Sequence, residues 1–412
     1  MNPMPGAPVS IPADGSPLLT LADQCVQCGL CLPHCPTYRL EAIEAESPRG
    51  RIALAKALAT GALDPSPSAL AHLDHCLGCL SCQKVCPSQV RYDDILALTR
   101  ADLRARRPAP GRIRRWLRDP ARLTRLARLG AALRADRWLP LLAGVLPKGS
   151  LARRLALTQA PPPRPAPQRP RSAPATRGRI VLFRGCVASV YDRDTFAAAR
   201  ALLEALGYEV VATSAGACCG ALPRHAGEIE AAAATAAATR EELRRSGADV
   251  VLTSASGCHG DLRDQVANDG AMRVVEIHTF LAADAGFAAL RFRPLAARAA
   301  LHLPCTQVNV AGGVDAIRTL LARIPDLAVL PLPEQPRCCG AAGSYFIEQP
   351  EFADRLRAQK LDQAAALQPD MILTTNVGCR LHLGNGLRER AAPLPLRHPL
   401  ALLAEQLDNS AS

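Results

Sequence analysis

The sequence lacks several features that would assign it to common protein classes. Aromatic residues make up 3% of the 412 residues, too few for the stacking platforms of a nucleic-acid binder. No apolar run reaches the length of about 18 to 20 residues that a membrane span needs. The first twenty residues contain no Lys or Arg, which fits neither a secretory signal nor a transit peptide. We therefore expect a cytoplasmic chain that reaches the inner face of a membrane only peripherally, through partners.

Nucleotide- and flavin-binding motifs are also missing. No Gly-x-Gly-x-x-Gly follows a predicted strand, and the sequence contains no phosphate-binding loop and no nucleophile elbow. We therefore assign no catalytic residue and no nucleotide-binding residue.

Positive charge is concentrated in one region. Residues 100–179 contain 21 Lys or Arg and three Asp, a net charge of +18, which leaves −6 for the rest of a chain that carries +12. Leucines at helical spacing predict basic amphipathic helices from Arg112 to Trp138. We expect this segment to dock an acidic partner surface or anionic lipid. Nucleic acid is the competing partner, and the scarcity of aromatics argues against it.

Sixteen cysteines are present, and their clustering favours metal or redox sites over a disulfide framework. Eight of them form two runs with the spacing Cys-x-x-Cys-x-x-Cys-x-x-x-Cys-Pro. The runs are Cys25, Cys28, Cys31, Cys35 and Cys76, Cys79, Cys82, Cys86. Structural zinc sites normally use separated Cys-x-x-Cys pairs, whereas these triplets are typical of 4Fe-4S clusters.

The fourth cysteine of each run is expected to bind the other cluster, as in two-cluster ferredoxins. The predicted cofactors are therefore two 4Fe-4S clusters. Their ligands are Cys25, Cys28, Cys31 and Cys86 for cluster 1, and Cys76, Cys79, Cys82 and Cys35 for cluster 2. His34, His72 and His75 lie nearby and are expected to be hydrogen-bond donors or surface residues rather than ligands.

The second half of the chain is a duplication. Cys186, Cys218, Cys219 and Cys258 recur as Cys305, Cys338, Cys339 and Cys379, at offsets of 119 to 121 residues. Six β-type runs alternate with helical stretches, which predicts parallel α/β sheets. The runs are Ile180–Phe183, Tyr208–Val211, Val250–Thr253, Ala300–Leu303, Leu327–Leu330 and Met371–Thr374. Cysteines follow several of these strands, where open α/β sheets build their sites.

The adjacent cysteines leave three interpretations open. Two neighbouring thiolates fit different irons of a cluster better than one zinc ion, so one or two further iron-sulfur clusters are favoured. A vicinal disulfide or other thiol redox chemistry is the second interpretation, and plain buried cysteines are the third.

The predicted fold class is a multidomain α+β protein. The roughly forty-residue gap between the two cysteine runs, with its predicted helix, resembles an α-helical ferredoxin domain, which would occupy residues 21–107 after a disordered tail at 1–20. A basic helical segment with a proline-rich linker follows at 108–178. Two α/β Rossmann-like repeats occupy 179–290 and 291–412. Helices are predicted over residues 51–59, ending at Gly61, and from Tyr92 to Arg106.

Two sets of residues carry a resemblance to known families. The motifs Gly185-Cys186, Cys218-Cys219-Gly220 and Gly257-Cys258, with Pro304-Cys305, Cys338-Cys339-Gly340 and Gly378-Cys379, resemble the cysteine-rich CCG domain. The segments 338–350 and 376–382 are similar to the carboxyl-terminal signature of glycolate oxidase iron-sulfur subunits, and Arg49-Gly50-Arg51 fits the α-helical ferredoxin domains of respiratory dehydrogenases. The resemblance extends from Leu21 to about Leu400.

This resemblance implies an electron-transfer subunit that is inactive alone. Flavin-containing subunits would oxidise glycolate to glyoxylate, and this chain would pass the electrons towards a quinone-type acceptor. Related cysteine-rich subunits serve lactate and glycerol-3-phosphate dehydrogenases, so those substrates stay open. Heterodisulfide reductases share the CCG domain and usually have a further cysteine, for which this chain has Asp261 and His382. His382 is thus a candidate nitrogen ligand.

Overall fold

The computed structural model describes residues 16–104, 122, 125, 126, 129, 130, 132–147, 150–157, 177–266, 272–333, 338–392 and 394–408. The chain divides into two compact units. The first is Met1–Pro108 with the short segment His225–Gly227, and the second is Ala109–Arg224 with Glu228–Ser412. The proline-rich part of the predicted linker and most of the basic segment lie outside the described residues.

The first unit is built, over its described residues, from short helices. They are α1 Pro17–Ala22, α2 Pro36–Glu41, α3 Pro48–Ala59, α4 Pro67–Asp74, α5 Ser81–Lys84 and α6 Tyr92–Arg104, with 3₁₀ turns at Leu32–His34 and Glu44–Glu46. Four of the helices begin with proline, whose fixed φ and missing N–H suit a first helical turn. The two predicted helices are confirmed: residues 51–59 lie within α3, and α6 begins at Tyr92.

The predicted tail at residues 1–20 needs a correction at its end. Residues 17–22 form α1, and Leu18 and Leu21 are buried in a core with Ile52 of α3 and Ile95 of α6. Burial of these leucines supplies the free energy that orders a segment whose proline and glycine content predicted disorder. The part of the predicted tail before Ser16 lies outside the described residues.

The described part of the second unit includes two helices ahead of the two repeats. The helices are α7 Ala135–Val145 and α8 Leu151–Leu157. Repeat 1 contains β1 Arg179–Phe183, α9 Ala188–Tyr191, α10 Arg193–Ala205, β2 Glu209–Ala212, α11 Ala221–His225, α12 Ile229–Arg245, β3 Val250–Thr253, α13 Ser256–Val266, β4 Arg273–Glu276 and α14 Ile277–Ala283. Repeat 2 contains β5 Ala297–His302, α15 Val314–Leu321, β6 Leu327–Pro331, α16 Tyr345–Glu348, α17 Pro350–Ala366, β7 Met371–Thr374, α18 Val377–Glu389, β8 Leu396–Arg397 and α19 Pro399–Gln406.

Each repeat holds one parallel, four-stranded sheet. The strand orders are β2-β1-β3-β4 and β6-β5-β7-β8, with all pairs parallel, so the second sheet repeats the first. The six predicted strands are confirmed, with ends shifted by up to three residues. Sequence reasoning missed β4 and β8, which occupy the same edge in the two sheets. β8 has two residues and β4 has charged residues at both ends, so neither has a recognisable apolar pattern.

The two repeats pack together with approximate twofold symmetry. α10 of repeat 1 packs on α19 of repeat 2, and the equivalent pair, α15 and α14, packs in the same way. The equivalent residues His278 and His398 stack on each other, with ring centroids 5.4 Å apart. One apolar core runs through both repeats and includes Leu182, Leu252 and Leu301. Parallel strands buried on both faces need such a shared core.

The two helices before repeat 1 are partly anchored to repeat 2. Arg154 of α8 is buried and donates hydrogen bonds to the Asp354 carboxylate and to the Phe346 carbonyl. Residues 150–157 are therefore a packed part of the second unit rather than part of a linker. α7 runs beyond the predicted end at Trp138 to Val145 and leaves Leu141 76% exposed. Within the described part of the chain, no helix combines the length and apolar character needed to cross a bilayer.

Candidate metal centres

The two ferredoxin-type cysteine runs lie in the turns between the short helices of the first unit. Cys25 follows α1, Cys35 precedes α2, and Cys82 lies within α5. Left-handed backbone at Gly29 (φ +83°) and Gly78 (φ +60°) bends the two runs back on themselves. Such bends let cysteines spaced by two residues turn towards a common point.

One cavity brings together four predicted ligands from both runs. Its lining includes Cys35 of the first run with Cys76, Cys79 and Cys82 of the second. The space in this cavity, together with open solvent at its mouth, measures about 310 Å³. Four thiols on one such cavity, bordered by Leu77, Leu80 and two prolines, form a donor set and a setting that fit a 4Fe-4S cluster.

The other predicted set is less enclosed. Cys25, Cys31 and Cys86 pack, partly buried, against the core that contains Cys76 and Cys82, whereas Cys28 is exposed. Burial raises the pKa of the Cys31 thiol, and the nearby Cys25 and Cys35 add to this rise. Repulsion between clustered thiolates is typical of a site that binds a cation or a metal cluster.

A buried polar network supports Cys35 in the wall of the cavity. Arg51, 2% exposed, donates hydrogen bonds to the Glu46 carboxylate (2.5 Å) and to the Glu46 backbone carbonyl (2.6 Å), and approaches the Cys35 sulfur at 3.8 Å. His72 and His75 contact the other oxygen of Glu46 at 2.7 and 2.6 Å. Burial alone would raise the pKa of Glu46, but hydrogen bonds from these histidines and the charge of Arg51 lower it.

This network bears on the prediction made for His72 and His75, and it contains one residue, Glu46, that the sequence did not indicate. The prediction that His72 and His75 act as hydrogen-bonding groups agrees with their contacts to Glu46, although the three side chains also lie within metal-ligating distance of one another. Since the guanidinium of Arg51 occupies the second carboxylate oxygen of Glu46, the group is better described as an ion-pair network. Sequence reasoning missed Glu46, because nothing in its spacing to the cysteines marks it.

The three residues Arg49-Gly50-Arg51 each have a separate structural role. Arg49 donates a hydrogen bond to the backbone carbonyl of Gln27, inside the first cysteine run, at 2.9 Å. A Cβ on Gly50 would collide with the backbone carbonyl of Glu44. Together with Arg51, these residues fix the start of α3 against the first cysteine run.

In the second unit, the duplicated cysteines form the same pairs in each repeat. In repeat 1, the sulfurs of Cys186 and Cys218 lie 3.7 Å apart, and the Cys219 side chain contacts that of Cys258. The equivalent pairs in repeat 2 are Cys305 with Cys338, and Cys339 with Cys379, the last two sulfurs being 3.1 Å apart. The two thiols of each doublet also contact each other, so the four thiols of each repeat form one connected group.

Thiol ionisation differs within one repeat. Hydrogen bonds from Cys186 and Cys219 lower the pKa of the Cys218 thiol to about 3. The pKa of Cys186 is raised by the same contact with Cys218 and by burial. A thiolate held between two thiols is a ready metal ligand.

Repeat 2 adds a histidine that the sequence did not indicate. A ring nitrogen of His302, at the end of β5, and the sulfurs of Cys339 and Cys379 all lie within 4.8 Å of one another. Burial, with the charge of Lys360, lowers the pKa of His302 to about 3, so its imidazole is neutral. The available signal was the spacing His302-x-x-Cys305, which is unremarkable by itself.

The predicted alternative ligand, His382, is not part of this group of ligand atoms. Its Nε2 is 3.1 Å from the backbone carbonyl of Ala353 on α17, and its ring lies beside Phe346. Asp261, at the equivalent position of repeat 1, forms an ion pair with Arg224 at 3.7 Å. Among the described residues, the histidine that joins two cysteines at ligand distance is therefore His302 rather than His382.

The comparisons with known proteins agree with this arrangement of cysteines. A model of the 4Fe-4S dicluster domain matches residues 21–90, and a model of the cysteine-rich CCG domain matches residues 180–263 and 299–384. The iron-sulfur subunit of glycolate oxidase from Escherichia coli is 31% identical to this chain, over 93% of the chain and 94% of that subunit. The chain belongs to the glycolate oxidase iron-sulfur subunit family.

Two further relatives broaden the comparison beyond this one subunit. A Bacillus subtilis protein named "Probable glycolate oxidase iron-sulfur subunit" is 28% identical over 94% of both chains. Lactate utilization protein A from Geobacillus kaustophilus is 25% identical over 53% of this chain and 96% of its own length. All sixteen cysteines of this chain lie inside the matched domains. This member of the family is therefore an iron-sulfur electron-transfer subunit of an oxidase or dehydrogenase.

Proposed function

We propose that this chain relays electrons from flavin-containing subunits, which oxidise glycolate to glyoxylate, towards a quinone-type acceptor. The observation that carries the proposal is the cavity in which Cys35 joins Cys76, Cys79 and Cys82, because a site of thiols alone suits electron transfer. Oxidation of glycolate releases two electrons and two protons. The chain has no recognisable flavin motif, so it is inactive without its partners.

Two 4Fe-4S clusters would occupy the first unit. Cys76, Cys79, Cys82 and Cys35 would hold one, and Cys25, Cys28, Cys31 and Cys86 the other. When bound, such clusters accept and release one electron at a time. Arg51 and Tyr92 place N–H and O–H groups 3.8 and 3.5 Å from the sulfurs of Cys35 and Cys76. Hydrogen bonds to ligand sulfurs raise the reduction potential of such sites.

The second unit would hold one or two further iron-sulfur clusters, in repeats with a Rossmann-like sheet. Support comes from the position of the cysteines beyond the strand ends and from the identical pairing of thiols in both repeats. Equivalent sites at equivalent strand ends are what duplication of a ligand-binding domain produces.

The experiment is a reconstitution with the flavin subunits. We expect glycolate-dependent quinone reduction with this chain present and at least a tenfold loss without it, while reduction of an artificial dye at the flavin persists. The matched control is a variant with Cys35, Cys76, Cys79 and Cys82 changed to Ser, which should behave like omission of the chain. Equal quinone reduction without the chain would reject the electron-relay role.

Lactate is the second candidate substrate of the flavin partner. The observation in its favour is the similarity of half of this chain to a lactate utilization protein. The same reconstituted complex supplied with lactate in place of glycolate decides between them, because only the flavin subunits contact the substrate. Electron transfer from lactate alone would replace glycolate in the proposal and leave the relay role intact.

The basic region would bring the complex to an acidic partner or to the inner face of a membrane. Its described part exposes Leu133, Leu141 and Val145, and apolar residues among arginines suit an anionic lipid surface. Binding to vesicles containing phosphatidylserine should weaken steeply with salt, since exposed charges are screened over about 10 Å at 0.1 M ionic strength. Binding that is unaffected by Arg122→Glu with Arg125→Glu would contradict this.

A further inference from the structure

The group formed by His302, Cys339 and Cys379 has the composition of a transition-metal site. The three residues are buried, and their ligand atoms lie within 4.8 Å of one another. One imidazole nitrogen with thiolates is a donor set that suits zinc or iron.

The hydrogen bonds of His302 leave one nitrogen available. Its Nδ1 lies 3.0 Å from the Thr374 hydroxyl, whereas Nε2 has no hydrogen-bond partner among the described residues. His302 is fully buried, and leaving a buried ring nitrogen without a partner is unfavourable. If Nδ1–H donates to the hydroxyl, Nε2 presents its lone pair, which is how metal-ligating histidines are usually held.

Repeat 1 shows that the fold does not require a histidine here. His302 pairs with Thr374 across β5 and β7, and the equivalent pair across β1 and β3 is Phe183 with Thr253. In repeat 1 the Thr253 hydroxyl contacts His259 of α13 instead, at 2.9 Å. Within the described part of repeat 1, no histidine reaches two cysteine sulfurs at the same distance. The imidazole at the strand end is therefore particular to repeat 2.

We propose that His302 is a nitrogen ligand, through Nε2, of a metal centre in repeat 2, together with the thiolates of Cys339 and Cys379. The metal is zinc or an iron of a cluster, and repeat 1 offers thiolates without this nitrogen. Thr374 is a positioning residue, which holds the ring through Nδ1. The inference does not depend on the proposed electron relay, because a structural zinc site would satisfy it.

The experiment compares metal content and pulsed electron paramagnetic resonance of the full-length chain, purified without oxygen and labelled with ¹⁵N-histidine. If the metal is iron, the wild type should show the hyperfine coupling of a directly bonded imidazole nitrogen, and His302→Phe should lose it with some of the iron. If the metal is zinc, His302→Phe should lose about one equivalent of zinc and no iron. Phe is chosen because repeat 1 has Phe183 at this position.

Two variants serve as matched controls, and a third keeps the test informative if His302→Phe does not fold. His382→Leu and His259→Phe also remove buried imidazoles but should keep the metal and the coupling. His302→Cys should keep the metal and lose the nitrogen coupling, even if His302→Phe does not fold. The inference is overturned if the wild type shows neither a bonded nitrogen nor zinc, or if folded His302 variants match it in both measurements.

Discussion

The two units of the molecule differ in where their cysteines lie relative to the main apolar core. In the first unit, Cys76 and Cys82 are themselves members of the small core that joins α1, α3 and α6. In the second unit, the largest core runs through both sheets and contains no cysteine, while Cys219 and Cys339 belong to smaller cores within the repeats. A domain of short helices with little apolar core depends on its metals to fold, whereas a sheet with its own core can keep its structure without them.

Removal of iron should produce the largest difference between the units. Over their described residues, the helices of the first unit have at most 13 residues, a length that is marginal without packing. After anaerobic chelation, amides of α3 and α6 should lose their protection from hydrogen exchange, while those of β1 and β5 keep theirs. Hydrogen exchange followed by mass spectrometry measures both units in one sample. Equal loss of protection in the two units would break the comparison.

Exchange of one ligand should have the next largest effect. If the fourth cysteines cross over, Cys35→Ser should remove the signal of the cluster held by Cys76, Cys79 and Cys82, and leave the other. Cys86→Ser is the matched control, and it should do the reverse. Paramagnetic resonance of the separately reduced clusters distinguishes them. Loss of the opposite signal in each variant would reverse the ligand assignment.

The buried network at Glu46 should matter more than surface ion pairs in the same unit. Arg51→Met leaves a buried carboxylate without its guanidinium partner, which costs about 3 kcal/mol. Lys56→Met is the matched control, because it breaks an ion pair with Asp23 whose side chains are more than half exposed, worth at most about 1 kcal/mol. Denaturant unfolding of the iron-loaded chain, followed by its visible absorption, measures both. Similar losses would show that the network does not hold the first unit.

The smallest predicted effect lies in the second unit and depends on pH. Asp284 accepts hydrogen bonds from Tyr208 (2.7 Å), Arg177 (2.8 Å) and the Gly286 amide (2.7 Å). Burial alone would raise its pKa, but these bonds lower it below the ordinary value. Because the carboxylate is favoured in the folded state, its stabilisation is present above the unfolded pKa and is lost as the pH falls through the folded pKa.

Asp284→Asn should therefore lower the free energy of unfolding by about 1–2 kcal/mol at neutral pH, and less as the pH falls below about 4. Asp315→Asn is the control, because that side chain is 98% exposed and should change little. Urea unfolding at pH 7 and pH 3.5 provides the measurement. A constant difference between Asp284→Asn and wild type at both pH values would contradict the assigned role.

What the sequence could predict depended on whether the signal was local. The spacing of the eight ferredoxin-type cysteines, the offset between repeats and the β-type apolar runs are local properties of the chain, so the cysteine motifs, the duplication and six strands could be predicted from them. Glu46 and His302 were missed because their importance comes largely from neighbours that are distant in sequence, such as His75 for Glu46 and Cys339 for His302. The helix α1 was missed because residue composition does not show that Leu18 and Leu21 find a core.

The unequal exposure of the cysteines in the first unit has a consequence for its sensitivity to oxygen. The loop around Cys28 is turned outwards, with Val26 68% and Leu30 57% exposed, whereas Cys35, Cys76 and Cys82 are buried. Oxidation of cysteine follows the exposure of its thiolate. When the protein is handled in oxygen, oxidation should therefore begin at Cys28. Brief exposure should destroy the cluster predicted to include Cys28 and leave intact the cluster predicted to include Cys35, Cys76 and Cys82.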